Sequence, residues 1–369
     1  MVGRKRSVAL AGVVGITLAL TACGGDSSTG GSGGGGTATG GGDAASKGKV
    51  GVILPDTKSS ARWESADRPQ LEKAFKAAGV QATIQNAQGD ASRMQTIAEQ
   101  MLTEGVTVLA IVNLDSESGA AIENKAKAQG VKTIDYDRLT LGGSADYYVS
   151  FDNTKVGELQ GQGLSDCLGD KSANIAYLNG APTDNNATLF AQGAHKVLDA
   201  KTNYKKVAEQ AVPNWDNQRA ATIFEQMYTQ AGGKIDGVLA ANDGLGNAAI
   251  SILRKNNAEG KVPVTGQDAT AQGLQNILDG SQCMTVYKPA AQEVDALVKL
   301  ALALATGGKG ETTGTVRDET GKRDVPSVLL DPVLINKDNV AQPIKDGAVQ
   351  KSEVCTGSFT ALCTKAGIS

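Results

Sequence analysis

From residue 50 onward the chain repeats one unit: a short apolar run rich in β-branched residues, then a stretch with helical spacing that ends at a glycine. Residues 50–54, Val-Gly-Val-Ile-Leu, are too few for a helix; helical spacing follows over 62–78 and closes at Gly79. The unit recurs as residues 82–85 with 92–104 and Gly105, then as 106–112 with 117–129 and Gly130, before a fourth run at 131–136. A second set starts at Tyr148-Val149-Ser150-Phe151. There, helical stretches near 154–167, 185–199, 216–232, 244–255 and 270–279 alternate with apolar runs at 174–178, 207–212, 237–241, 262–265 and 284–286. A last helix is expected over 290–305 and a last strand over 327–334. Continuous apolar strands between amphipathic helices predict an α/β fold with parallel sheets covered on both faces. So many strands exceed one sheet of ordinary size, and 369 residues suffice for two domains. Two doubly wound, Rossmann-like lobes are the expectation.

The start of the chain reads differently. Arg4, Lys5 and Arg6 precede an apolar run of 13 residues, 8–20. A membrane-spanning helix needs about 20 apolar residues, so residues 1–22 read as a signal peptide. The run ends in Leu20-Thr21-Ala22-Cys23, which resembles the lipobox of bacterial lipoproteins and implies a lipid on Cys23. Residues 24–46 contain 11 glycines among Ser, Thr, Ala and Asp, too little apolar surface to offset the entropy of ordering. A coil of that length reaches about 25–30 Å, so residues 23–46 are expected to tether a working domain to the outer face of the cell membrane.

Composition removes several function classes. With 36 Lys and Arg against 39 Asp and Glu, the net charge of −3 offers no cationic footprint for nucleic acid. A single histidine, His195, leaves no imidazole cluster for a metal, and it has no partner motif nearby. No G-x-G-x-x-G joins a strand to a helix, and neither a Walker A lysine motif nor a nucleophile elbow is present. No enzyme activity, cofactor or metal is therefore expected. A transcription regulator of the same two-lobed kind would need a DNA-binding helix-turn-helix where this chain has its leader.

In open α/β sheets, ligands bind beyond the carboxyl ends of the strands. Those ends carry Asp56, Asn113, Asp137-Arg138, Asp152-Asn153, Asp184-Asn185-Asn186, Asn214-Trp215, Asn242-Asp243, Gln267-Asp268 and Lys288. Asp and Asn also cap helices, so some of these have that simpler purpose. Capping does not account for Arg62, Trp63, Arg138, Trp215 and Lys288. Carboxylate, amide and guanidinium groups present paired acceptors or donors that grip two neighbouring hydroxyls, and a flat indole covers the C–H face of a sugar ring. Asp137, Asp184 and Asp268 balance Arg62, Arg138 and Lys288, three charges of each sign. A balanced pocket suits a neutral polyol better than a phosphate, an amino acid or a metal ion.

Four cysteines besides Cys23 allow three pairings. Cys355 and Cys363 are close enough in sequence for a local clip, which leaves Cys167 and Cys283 either paired or as buried thiols.

Several stretches carry a family resemblance. They are Ala61-Arg62-Trp63, Ala87-Gln88-Gly89-Asp90, Tyr136-Asp137-Arg138, Ser150-Phe151-Asp152-Asn153 with Lys155-Val156-Gly157-Glu158-Leu159-Gln160, Asp184-Asn185-Asn186-Ala187, Asn242-Asp243, Gly266-Gln267-Asp268-Ala269 and Met284-Thr285-Val286-Tyr287-Lys288-Pro289. In that order, over residues 50–353, the chain resembles the xylose-binding proteins of bacterial ABC sugar importers, within the type I periplasmic-binding-protein fold. The resemblance implies that Arg62, Asp137, Arg138, Asp184, Asn186, Asn242, Asp268 and Lys288 hydrogen-bond a pentose, with Trp63 and Trp215 stacked on it. It implies three crossings between lobes, near 151–153, 286–289 and 324–327. The lobes would then be 47–151 with 289–325 and 152–288 with 326–350, followed by a cysteine-bearing tail, 351–369. A monomer that closes on its sugar and docks to an ABC permease is implied; presenting the sugar to a membrane receptor is the alternative. The leader, the spacer and the tail depart from soluble relatives, and residues 57–61 differ more than the pocket motifs do.

Overall fold

The computed structural model describes residues 48–368; the leader, Cys23 and the glycine-rich stretch lie outside the described residues. In chain order the strands are β1 (Val50–Leu54), β2 (Ala82–Asn86), β3 (Val108–Ile111), β4 (Lys132–Tyr136), β5 (Tyr147–Phe151), β6 (Ala173–Asn179), β7 (Tyr204–Ala211), β8 (Gly237–Ala240), β9 (Thr285–Tyr287), β10 (Gly314–Asp318), β11 (Arg323–Leu330) and β12 (Val333–Ile335). They form two lobes of helix-covered sheet, as the alternation predicts.

The first lobe is one sheet in the order β10-β11-β5-β4-β3-β1-β2. Every neighbouring pair is parallel except the hairpin β10–β11. Strand β1, flanked by β3 and β2, is buried along its whole length, which is why its sequence is apolar without alternation. Helix Arg68–Ala78 packs Leu71 and Phe75 against one face with Leu297 and Ala301 of helix Ala290–Ala305. Met94, Ile97 and Met101 of helix Ala91–Thr103 cover the other face. Full burial of one such side chain stabilises the fold by roughly 1.5–3 kcal/mol.

The second lobe is built on β7-β6-β8, extended by a parallel bridge from Val238 to Val264, with the antiparallel pair β9–β12 packed on the same core. Its helices include Asn153–Leu168, Asn185–Leu198, Asn217–Gln230 and Asp243–Lys255. Each begins at a side-chain cap in the loop after a strand: Asp152, Asp184, Asp216 and Asn242 each accept a bond from the first-turn backbone.

The chain crosses between the lobes after Phe151, after Tyr287 and between Leu330 and Val333. The third crossing corrects the expected one. Ser327–Leu330 of β11 pair with Tyr148–Phe151, so this segment belongs to the first sheet and the boundary at 325/326 falls inside a strand. The expected strand over 327–334 is two strands in different sheets. Pro332 lies between them; it has no N–H to give a ladder and restricts the residue before it. The expected separate tail is also corrected. Helices Lys351–Val354 and Phe359–Lys365 place Val354 and Cys363 in one core with Leu274 and Ile277 of the second lobe. The structure pairs Cys355 with Cys363 and Cys167 with Cys283.

Candidate functional site

The loops at the carboxyl ends of both sheets face each other. Arg62 and Trp63 follow β1, where a wide turn over Trp63–Asp67 leads into helix Arg68–Ala78. Asp137 and Arg138 follow β4, Asp184 and Asn186 follow β6, Trp215 follows β7, Asn242 follows β8, and Lys288 follows β9. Asp268 lies in the loop beyond Val264. All ten of these side chains line one cavity of about 30 Å3, together with Ser59, Ser60, Phe190 and Gln267. The backbone is strained here: Asp137, Trp215 and Asp268 have φ of 62°, 54° and 95°. Such conformations cost about 1–3 kcal/mol each and persist where the surroundings hold them. The Asp137 carbonyl is held by Ser150 Oγ at 2.7 Å, Tyr148 Oη at 3.2 Å and Asn186 Nδ2 at 3.0 Å.

In the first lobe Arg62 is the centre of a buried cluster. Its Nε and Nη2 donate to Asp67 at 2.8 and 2.7 Å, Nη2 also donates to Glu293 Oε2 at 2.5 Å, and Nη1 donates to Asp137 Oδ2 at 3.2 Å. Tyr136 Oη donates to Asp67 Oδ1 at 2.5 Å. Lys288 Nζ lies 3.5 Å from Asp137 and 3.8 Å from Asp268. Arg138 Nη1 donates to the Asn113 carbonyl at 3.1 Å, while Asn113 Nδ2 returns a bond to the Arg138 carbonyl at 3.1 Å. Asn113 thus props Arg138 from outside the cavity.

Besides Lys288, which faces both Asp137 and Asp268, and Asn153, whose Nδ2 reaches Tyr148 and Ser150, four contacts join the facing loops of the two lobes. Asn186 Nδ2 reaches Asp137, and Ser60 Oγ donates to Asp268 Oδ2 at 2.8 Å. Asn242 Nδ2 donates to the Ser59 carbonyl at 3.1 Å, while its Oδ1 caps helix Asp243–Lys255. Arg138 Nε lies 3.0 Å from Asp184 Oδ2, an ion pair whose N–H does not point along the contact. The lobes are closed on each other.

The charge count differs from the sequence reading. Asp67 and Glu293 join Asp137, Asp184 and Asp268, so five acids meet three bases. Burial offsets part of the excess. It pushes Glu293 up to about 8 against the pull of Arg62, and raises Asp184 against the pull of Arg138. Asp137 goes the other way: burial would raise it, but Lys288, Arg62 and Arg138 together hold it below the usual carboxylate range.

Both tryptophans are anchored by their N–H groups. Trp63 Nε1 donates to Ser59 Oγ and Trp215 Nε1 to Asp184 Oδ2, each at 3.1 Å. The Arg62 guanidinium lies 4.7 Å over the Trp63 ring, and Phe190 meets Trp215 edge-on at 6.4 Å. Acceptor-only carboxylates and donor-only cations beside flat rings are the lining that saturates neighbouring hydroxyl groups on a compact guest.

Other strand-end residues serve as struts. Asp56 accepts from the backbone of Lys58 and Ser59, Asp152 is a cap, and Asp243 is held by Thr270, Gln282 and Thr285. His195 is not among the cavity residues; it stacks on Tyr177 between Asp199 and Glu209. Phe190, Ser59, Asp67 and Glu293 were not legible as site residues, yet two carried a signal. Phe190 lies four residues after Asn186, on the same helix face. Glu293 shares the apolar stripe of Leu297, Leu300 and Leu304, where an acid must have a buried partner.

A family model described as periplasmic binding protein domain matches residues 50–309. The D-xylose-binding periplasmic protein of Escherichia coli (strain K12) is 35% identical over 314 residues, covering 84% of this chain and 93% of the relative. The multiple sugar-binding periplasmic receptor ChvE of Rhizobium radiobacter is 34% identical over 332 residues, covering 84% and 93%. Among solved structures, a carbohydrate transporter solute binding protein from Chloroflexus aurantiacus in complex with D-glucose superposes with a TM-score of 0.76 at 32% identity, covering 82% of this chain and 97% of that one.

Proposed function

The chain belongs to the periplasmic binding protein domain family, and on that premise we propose that it captures a neutral monosaccharide, D-xylose foremost, between its two lobes. It acts as a binding protein rather than an enzyme, and delivers the sugar to an ABC permease. Arg62, Asp137, Arg138, Asp184, Asn186, Asn242, Asp268 and Lys288 take the hydroxyl groups, and Trp63 and Trp215 flank the ring. The observation that carries this reading is the convergence of donors and acceptors from both lobes on one buried cavity. A guest that touches both sides favours the closed state by its differential affinity for it, so loading and closure are one event.

A lipid on Cys23 would hold the monomer at the outer face of the cell membrane, within reach of its permease. No helix among the described residues is long and apolar enough to cross the membrane. The relative described as a receptor favours a second reading, in which the loaded protein is presented to a membrane receptor. A permease and an ATPase encoded beside this chain would separate the two.

A thermal-shift screen against neutral monosaccharides tests the function. A sugar at 100 times its Kd should add about 2.7 kcal/mol of stability. The account expects the largest shift with D-xylose; no shift with any pentose or hexose would overturn it.

A further inference from the structure

We propose that Asp67 and Glu293 are positioning residues for the sugar cleft: they clamp the Nε and Nη2 edge of Arg62 from below and leave Nη1 as the edge turned toward Asp137. The inference rests on the sugar-binding reading above and assigns roles to two residues behind the cavity wall.

The geometry carries it. A guanidinium has five N–H donors in a rigid fork. The Nε donor and the Nη2 donors are taken by the two carboxylates at 2.5–2.8 Å, the longer 3.2 Å bond of Nη1 goes to Asp137, and only Asp137 among these acids lines the cavity. Asp67 and Glu293 are fully buried. Asp67 is fixed in turn by Tyr136 Oη. Glu293 sits in the first turn of helix Ala290–Ala305, five residues after Lys288, so one short segment supplies both a cavity lysine and the clamp on a cavity arginine.

A stack would not fix the fork by itself. The guanidinium lies 4.7 Å from the Trp63 ring centroid, and such contact leaves rotation in the ring plane free. Two carboxylates on adjacent sides of the fork remove that freedom. Glu293 acts here through Oε2, which accepts from Nη2, and burial raises the acid against the pull of Arg62. Glutamine is then its closest mimic.

The test is a double-mutant cycle read by calorimetry with D-xylose, or with the monosaccharide giving the largest thermal shift. Glu293→Ala is expected to weaken binding at least tenfold, and Glu293→Gln to restore most of the loss. In an Arg62→Lys background, which lacks the fork, Glu293→Ala is expected to change Kd by less than twofold. An equal loss in both backgrounds would show that Glu293 does not act through Arg62. Wild-type affinity in Glu293→Ala would also overturn the inference while leaving the sugar-binding reading intact; no sugar binding by the wild type would overturn that reading instead. Should Glu293→Ala fail to fold, Asp67→Asn beside Glu293→Gln keeps the question open to measurement. The clamp then predicts a weaker grip in Asp67→Asn, whose amide cannot take both Nε and Nη2, and unchanged affinity there would contradict it.

Discussion

Asn186, on the second lobe, donates its side-chain amide to Asp137 on the first, reaching the backbone carbonyl at 3.0 Å and the carboxylate at 3.1 Å. The residue it grips has a left-handed backbone, and the bond exists only while the lobes are together. Asn186→Ala therefore removes two bonds made in the closed form alone, while Ser150 and Tyr148 still hold the Asp137 carbonyl. Sugar affinity should fall by about 1–3 kcal/mol, and Arg138→Ala and Asp268→Ala should act alike. Calorimetry showing an unchanged Kd in these variants would remove them from the cleft.

Gly180 controls where the Trp215 indole lies. A Cβ built on Gly180 would stand 2.0 Å from the ring carbon Cη2 and 2.2 Å from Cζ2. Gly180→Ala should push the indole off its seat, break its bond to Asp184 and destabilise the lobe by about 1–3 kcal/mol. The expected readouts are a lower Tm, a changed tryptophan emission and weaker sugar binding. Unchanged emission and Kd would contradict the packing described.

Stability should fall as pH rises from about 6 to 8.5. Burial raises Glu293 from 4.5 to about 8, so between those values the folded chain holds a proton that the unfolded chain has released. Raising the pH then favours unfolding until Glu293 ionises in the fold. The groups around it are Arg62, Asp67, Tyr136, Asp137, Tyr148 and Lys288. His195 adds the same sign: burial would lower it, but Glu209 and Asp199 raise it, and this contribution is lost as pH climbs through its folded value. Glu209, held at about 2 by His195, Lys206 and Asn179 against burial, acts oppositely but only below about 4.5. Thermal melts should show the decline, and Glu293→Gln should remove its Glu293 share. A wild-type Tm that rises from pH 6 to 8.5 would contradict the assignment.

The bond between Cys167 and Cys283 closes a loop of 116 residues within the second lobe. Replacing both with serine should cost about 2–4 kcal/mol, mainly by freeing the unfolded chain. Thiol titration of the unreduced, denatured protein should find none of Cys167, Cys283, Cys355 or Cys363 free. Labelling of any of them would contradict the pairing.

The alternation of apolar runs and helical spacing made the two lobes legible, because a strand covered on both faces has no polar alternation to obscure it. The cavity residues were legible where their chemistry exceeded what a cap needs: Arg62, Arg138, Lys288 and both tryptophans. Glu293 was hidden because its partner, Arg62, is contributed by a distant segment, and Asp67, five residues after Arg62, because only the wide turn over Trp63–Asp67 brings it back onto the guanidinium. The hairpin β10–β11 and the third crossing were missed for a related reason. Ser327–Leu330 reads as continuous with Val333–Ile335, and which sheet each joins depends on pairing with β5 or β9.

A crystal structure of the chain with the monosaccharide that gives the largest thermal shift tests the central claim most directly. The account predicts one sugar ring between the lobes, with hydroxyl groups bonded to Arg62 Nη1, Asp137 and Arg138 on one side and to Asp184, Asn186 or Asp268 on the other. A sugar bound outside this cavity, or held by one lobe alone, would contradict it.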